Sequence, residues 1–250
     1  MIVENMETAR TFRIFARTFL AGLAALCLWW MIHSVKNGEY LSAIMALGLA
    51  ACCCAIFGIW LTVGNPVPRG TFDSAGTTIR PDRRIELLMI TVTLTGIFGM
   101  GMFGALQLTG KLDIPIRRDA YPLLAASLGA GAVILLLWLG WVIKRGGNSY
   151  LRLTVDGFEF ASGFRSPKGK WHKVVAVTDE VPDKPKVWSP LVMVMADGTF
   201  RTLEAAGTYT PGGRALREMV RFYWQHPDYR FELTDGRALE RLRNEEFEAV

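Results

Sequence analysis

Four long runs of hydrophobic residues occupy the first part of the chain, and charged residues fall between them. The runs cover about residues 14–35, 40–63, 85–108 and 121–143. The last run has 21 consecutive uncharged residues, Leu123 to Ile143. A helix of that length rises about 31 Å, which matches a hydrocarbon core of about 30 Å. The pattern predicts a membrane all-α four-helix transmembrane bundle over residues 1–145.

The pattern changes after Arg145, and residues 146–250 are predicted to form a separate soluble domain. The glycine pair at 146–147 begins a predicted flexible joint. Leu151 and Leu153 then alternate with polar neighbours, which is typical of a β-strand. Two Asp-Gly pairs, at 156–157 and 197–198, predict hairpin turns between further strands. The tail is therefore predicted to be rich in antiparallel sheet.

Helical periodicity returns near the end of the chain. A helix is predicted to begin at Thr210-Pro211 and to end at Pro227. A second, strongly charged helical stretch runs from Asp235 to about Phe247 and is predicted to attach loosely. The polar, Gly- and Pro-rich segment 64–84 between the second and third runs is predicted to be a loop and not a domain. Glu86, just after it, is expected to form an ion pair with Arg83.

The distribution of basic residues predicts the orientation. The chain carries 28 Lys and Arg against 23 Asp and Glu, a formal net charge of +5. Cytoplasmic loops carry the excess of Lys and Arg, so the richer side is predicted to be cytoplasmic. This predicts a multi-pass protein of the cell inner (plasma) membrane with both termini cytoplasmic, and it favours membrane lipids over nucleic acid as partners. The richer side has nine residues, Arg10, Arg13, Arg17, Arg69, Arg80, Arg83, Arg84, Lys144 and Arg145, and the other has four, Lys36, Lys111, Arg117 and Arg118.

Small residues recur in the third and fourth runs. The glycines concerned are Gly96, Gly99, Gly101 and Gly104 in the third run, and Gly129 and Gly131 in the fourth. Small residues let helix backbones approach closely. They predict tight helix packing, within the chain or against another membrane protein or a second copy. The four cysteines also lie in apolar runs, where they predict helix contacts and neither disulfides nor a metal site.

The tail resembles the pleckstrin-homology-like (PH-like) fold. The resemblance rests on the opening hairpin YLRLTVDGFEF, the strand WHKVVAV and the helix ALREMVRFYW. With its preceding spans, the chain is similar to bacterial multi-pass membrane proteins of uncharacterised function with such a tail. The resemblance implies a soluble α+β PH-like domain, in which a curved antiparallel sheet is closed by a C-terminal helix, with a further helical extension. It also implies a module that binds lipid headgroups or peptides, without catalytic apparatus or cofactor.

Three functions remain open on the sequence. The chain lacks the common hydrolase, nucleotide-binding and metalloprotease motifs, so the first hypothesis is a non-enzymatic membrane adaptor, scaffold or accessory subunit that binds a partner protein. The alternative is lipid sensing through a basic hairpin loop, whose other interpretation is an ordinary solvated loop. Its residues are Arg165, Lys168, Lys170 and Lys173. A small channel or transporter component is disfavoured because no charge lies in the middle of a span.

Overall fold

Two compact units make up the chain, and each is built from two separate stretches of sequence. The structure, a computed structural model, describes residues 2–108, 121–147, 149–162, 166–180 and 189–248. The helical unit comprises Met1–Trp60 and Leu87–Lys144, and the sheet unit comprises Leu61–Glu86 and Arg145–Val250. The predicted loop at 109–120 lies outside the described residues.

Four long helices carry the hydrophobic runs, as the sequence predicted. They are α1 (Ile2–Lys36), α2 (Tyr40–Thr62), α3 (Arg83–Leu108) and α4 (Tyr121–Lys144). Each contains a segment of at least 19 residues that is long and apolar enough to cross a membrane. The backbone of such a segment satisfies its own hydrogen bonds, as a hydrocarbon environment requires. The chain therefore has four helices compatible with a multi-pass membrane protein.

Small residues let α3 and α4 approach each other closely. A Cβ added at Gly104 would lie 3.4 Å from the carbonyl oxygen of Ala125, and one at Gly131 would lie 3.2 Å from the Met100 sulfur. At Gly96 the nearest atom, in Leu135, is 3.6 Å away. An added Cβ meets no described atom within 4 Å at the other three predicted glycines, Gly99, Gly101 and Gly129.

The segment between α2 and α3 forms a β-hairpin, so the predicted loop over residues 64–84 was wrong. Strand β1 (Arg69–Asp73) pairs antiparallel with β2 (Gly76–Arg80). Both Thr77 and Ile79 of β2 are completely buried. The sequence does not reveal this hairpin, because glycines and prolines in the segment are typical of loops. The strand β3, which pairs with β2, also lies more than 70 residues further along the chain.

Two open sheets form the body of the sheet unit. The first has the order β1-β2-β3-β4-β5, with β3 at Ser149–Leu153, β4 at Gly157–Ser162 and β5 at Lys168–Lys170. The second has the order β6-β7-β8, with β6 at Val174–Thr178, β7 at Leu191–Met195 and β8 at Phe200–Leu203. All pairs are antiparallel, and β2 pairs with β3 through Thr77 opposite Leu153. Within the described part of the chain both sheets keep free edge strands, so PH-like closure stays a prediction.

Two helices and several short 3-10 segments connect or follow the strands of the sheet unit. Helix α5 (Arg214–Gln225) ends just before Pro227, as predicted, and α6 spans Arg237–Asn244. The 3-10 segments are Trp171–Lys173, Ala206–Thr208, Pro211–Gly213 and Pro227–Thr234. These helices and segments join the strands in one hydrophobic core. The prediction that the last helix attaches loosely was wrong, because Ala238 and Leu242 are buried in that core.

The start of the C-terminal tail is fixed by contacts with the hairpin. The Arg80 guanidinium donates a hydrogen bond to the carbonyl oxygen of Gly146. Gly147 has a φ of 142°, and a Cβ there would lie 2.8 Å from a carboxylate oxygen of Glu86. Gly146 and Gly147, where the predicted flexible joint begins, thus contact the hairpin, and a side chain at position 147 would require Glu86 to shift.

Candidate functional site

The side of the five-stranded sheet that faces away from the core carries a band of charged residues. Ile79, Leu151 and Phe160 point into the core, and side chains alternate along a strand, so the residues between them form the opposite surface. We call this surface the outer face. Its charged and phenolic members are Arg69, Asp73, Arg80, Tyr150, Arg152, Glu159, Lys168 and Lys170.

Glu159 is the centre of one cluster on the outer face. Its carboxylate accepts a hydrogen bond from the Tyr150 hydroxyl at 2.7 Å and lies 3.0 Å from the Lys168 ammonium. Partial burial alone would raise the pKa of Glu159, but the Tyr150 hydroxyl and the nearby cations more than offset this effect and hold the pKa below its usual value. Glu159 is thus ionised at neutral pH, and each of its carboxylate oxygens has a partner.

Arg152 and Asp73 form a second cluster. One guanidinium nitrogen of Arg152 lies 2.9 and 2.7 Å from the two carboxylate oxygens of Asp73, across the intervening strand β2. The hydrogen bond from the Ala75 backbone N–H, with smaller contributions from Arg152 and the Gly76 N–H, lowers the pKa of Asp73. The ion pair joins the hairpin between α2 and α3 to the tail that follows α4.

The outer face keeps an excess of positive charge after these pairs are counted. It has five basic residues, at 69, 80, 152, 168 and 170, against the acids at 73 and 159. Glu86 also pairs with Arg69, so two net positive charges remain. Lys168 and Lys170 are exposed on the edge strand β5. Lys170 has no acidic partner among the described residues. A shallow groove of about 370 Å³ runs beside these lysines and Arg152.

The four basic residues predicted from the sequence separate in the structure. Lys168 and Lys170 share the outer face, whereas Lys173 is exposed in the 3-10 turn before β6, at the start of the other sheet. Arg165 lies outside the described residues. The sequence reasoning missed Arg152 and Tyr150, although their alternation with buried Leu151 and Leu153 would have indicated a shared face.

The base of the hairpin holds a set of polar contacts close to the ends of α2 and α3. Glu86 forms an ion pair with Arg69, so the described contact differs from the predicted pairing with Arg83. Asp82 caps α3: its carboxylate accepts hydrogen bonds from the N–H groups of Arg84 at 2.8 Å and Val67 at 3.0 Å. Asp82 thereby joins the residues before β1 to the first turn of α3.

A buried tyrosine, Tyr209, contacts the start of strand β3. The Tyr209 hydroxyl is hydrogen-bonded to the hydroxyl of Ser149, which in turn donates to the carbonyl oxygen of Ala161 at 2.9 Å. Burial raises the pKa of Tyr209 far above its usual range, so the phenol stays neutral. The contact is structural because it satisfies a buried polar group.

The described residues contain no group of three His, Cys, Asp or Glu side chains placed to hold a metal ion. A comparison of the chain with known protein families, curated proteins and solved structures finds no match. The charged outer face and the two-segment construction of the sheet unit are therefore the features from which a function can be argued.

Proposed function

We propose that this protein is a non-enzymatic, multi-pass adaptor of the cell inner (plasma) membrane, whose sheet unit binds a partner protein in the cytoplasm. The observation that carries the proposal is the construction of the sheet unit from two chain segments. Its strands β2 and β3 belong to different segments and pair directly, with Ile79 opposite Leu151. The unit is thus connected covalently to the ends of α2, α3 and α4. Three connections restrict its motion more than one would, and a pre-oriented surface loses less entropy when it binds.

The same pairing supports the proposed topology. Strands can pair only when they lie on the same side of a membrane, so the α2–α3 hairpin and the tail after α4 share one side. Two spans, α3 and α4, connect them, which is the even number that this arrangement requires. The richer set of Lys and Arg on that side favours the cytoplasm. The order of six strands in two sheets followed by α5 also supports a PH-like relationship for the tail.

Site-specific photo-cross-linking tests the adaptor proposal. Phe200 is 42% exposed on the edge strand β8, and we place the photoreactive residue there in the full-length protein in cells. The matched control is Asp197, which is exposed in the turn just before the same strand. We expect one discrete protein adduct from position 200 that survives mild detergent extraction and is weak from position 197. Equal labelling from both positions, or lipid adducts alone, would argue against a protein partner.

The excess charge of the outer face favours a second function, the recognition of anionic lipid headgroups. Each basic residue near an anionic surface contributes about 1 kcal/mol, so the two net charges would supply about 2 kcal/mol. Replacing both Lys168 and Lys170 by glutamine would then remove about 2 kcal/mol, or about 30-fold in the binding equilibrium.

This second function requires the full-length chain, because a tail fragment beginning at residue 147 would lack β1 and β2. We would compare hydrogen exchange of the peptide that contains β5 in nanodiscs of anionic and of zwitterionic lipid. Slower exchange in anionic nanodiscs, abolished by the double glutamine variant, is the expected result. Thr202→Gln in the other sheet is the control, and equal exchange in both lipids would exclude the function.

A further inference from the structure

The edge strand β1 has unused backbone hydrogen-bonding groups. Its two-residue turn is closed by Asp73 opposite Gly76, and antiparallel pairs alternate between bonded and non-bonded. Asp73, Thr71 and Arg69 therefore bond to β2, while the N–H and C=O groups of Gly70 and Phe72 point away from the sheet. Strand β1 is the last strand on this side, and the described residues place no backbone partner there.

The side chains around this edge are open as well. Thr71 is exposed, and the Phe72 ring is 53% exposed. A groove of about 480 Å³ lies beside the strand, and α6 contributes Leu239 and Arg243 to its lining. Exposed edges with a large apolar side chain are places where another strand can add.

The sequence of β1, Arg-Gly-Thr-Phe-Asp, is complementary to itself when two copies run antiparallel. Centring the pairing on Thr71 places Gly70 opposite Phe72 of the second copy, and Arg69 opposite Asp73. The bonded positions then fall on Gly70 and Phe72, whose backbone groups are free. Phe72 of one copy then lies across from Gly70 of the other, where Leu239 of α6 covers the position that a side chain would occupy. Opposite charges face each other at both ends.

The two charged residues retain capacity for such a contact. The Asp73 side chain is 57% exposed, and its Oδ2 atom accepts a hydrogen bond only from the Arg152 guanidinium among the described residues. Ionised carboxylates accept up to about four hydrogen bonds. Arg69 uses one guanidinium nitrogen for Glu86, and its side chain is 37% exposed.

From this self-complementarity we infer that β1 is a homotypic docking site, at which two copies of the protein join their five-stranded sheets into one ten-stranded sheet. The occupant of the edge is a second copy of this chain. The inference rests on the proposed role of the sheet unit as a docking module and names one of its partners. A two-fold axis normal to the sheet relates the copies, so each contact occurs twice.

Disulfide trapping tests the register directly. Thr71 is opposite Thr71 of the second copy in a non-bonded pair, where the Cα atoms lie about 4.5 Å apart, within the range for a disulfide. We would introduce Thr71→Cys into the full-length protein in native membranes, with the four natural cysteines replaced by alanine. Thr78→Cys, one strand further in on the same face, is the matched control, because its copies would lie about 14 Å apart. Under mild oxidation we expect a dimer of two chains that forms at least about tenfold faster from position 71.

A second variant separates the backbone contact from random collision. The N–H of Phe72 faces the free edge, so Phe72→Pro removes an outward donor without breaking the β1–β2 ladder. In the Thr71→Cys background it should slow cross-linking by at least about tenfold relative to Phe72→Ala, because the symmetric dimer loses two hydrogen bonds. Its unfolding midpoint should match that of Phe72→Ala.

Several results would overturn the inference. Equal dimer formation from positions 71 and 78 would show collision without register. A disulfide between position 71 and a different protein would assign the edge to another partner. Unchanged cross-linking by Phe72→Pro would exclude strand pairing. None of these outcomes depends on the adduct at Phe200, so failure of the adaptor proposal and failure of self-pairing can be told apart.

Discussion

Replacing Ile79 by alanine tests whether the hairpin between α2 and α3 belongs to the same cooperative unit as the C-terminal tail. Ile79 lies on β2, is completely buried, and pairs with Leu151. The change removes three carbon atoms, worth about 2.4 kcal/mol in transfer free energy at about 0.8 kcal/mol each. With the cavity that remains, the expected loss of stability is about 2–5 kcal/mol.

Hydrogen exchange of the full-length protein in detergent micelles measures this loss of stability separately in the hairpin and in the C-terminal strands. A destabilisation of about 3 kcal/mol raises the exchange rate of globally protected amides about 100-fold. We expect this acceleration in peptides covering β3 and β4, at 149–160, more than 65 residues away in sequence. Thr78→Ala, the adjacent position on the outer face, should change those rates by less than about threefold.

If Ile79→Ala accelerated exchange only in peptides around 69–80 and left 149–160 unchanged, the hairpin would be an appendage. The two-segment construction of the sheet unit would then be wrong, and the adaptor proposal would lose its principal support.

Three further predictions concern other parts of the molecule. Gly104→Leu should lower the thermal stability of the helical unit in detergent, because the side chain would separate α3 from α4, whereas Gly101→Leu, which has open space, should change it little. Leu242→Ala should lower the free energy of unfolding of the sheet unit by about 2–5 kcal/mol in a denaturant titration, since the side chain is buried in the core; no change would mean that α6 is not part of the fold. The folded pKa of Glu159 lies below its ordinary 4.5, so its contribution to stability is complete above that pH and is lost as the pH falls through the folded pKa. Glu159→Gln should therefore lose less stability than the natural protein on acidification, measured by unfolding across that range, and identical pH profiles would contradict the pairing.

The sequence was most informative where each residue's environment could be inferred from its neighbours along the chain. A span such as Leu123 to Ile143 is apolar on every side, so its length and composition suffice to identify a long helix. Strands β3 and β4 were likewise visible, because a tight turn connects them and their alternation is local. The end of α5 before Pro227 followed from the loss of a backbone donor.

The candidate site was harder to find for the same reason. Lys168 and Lys170 were identified because they are close in sequence. Arg152 and Asp73 form one ion pair but are 79 positions apart. The buried face of α6 was misjudged because only three of its eight residues, Ala238, Leu239 and Leu242, are apolar. The hydrophobic surface that receives them comes from strands that are distant in sequence.

Three features can be read from the sequence alone: the four apolar helices, the change to sheet after residue 145, and the surplus of basic residues on one side of the predicted spans. These follow from properties that each segment carries alone, namely length, period and charge. Only the tertiary structure decided that residues 69–80 form the first two strands of the sheet unit, because whether a short Gly- and Pro-flanked segment becomes a strand depends on the availability of a partner strand. The β3 edge supplies that partner, and burial of Ile79 against Leu151 supplies the free energy that the segment lacks alone.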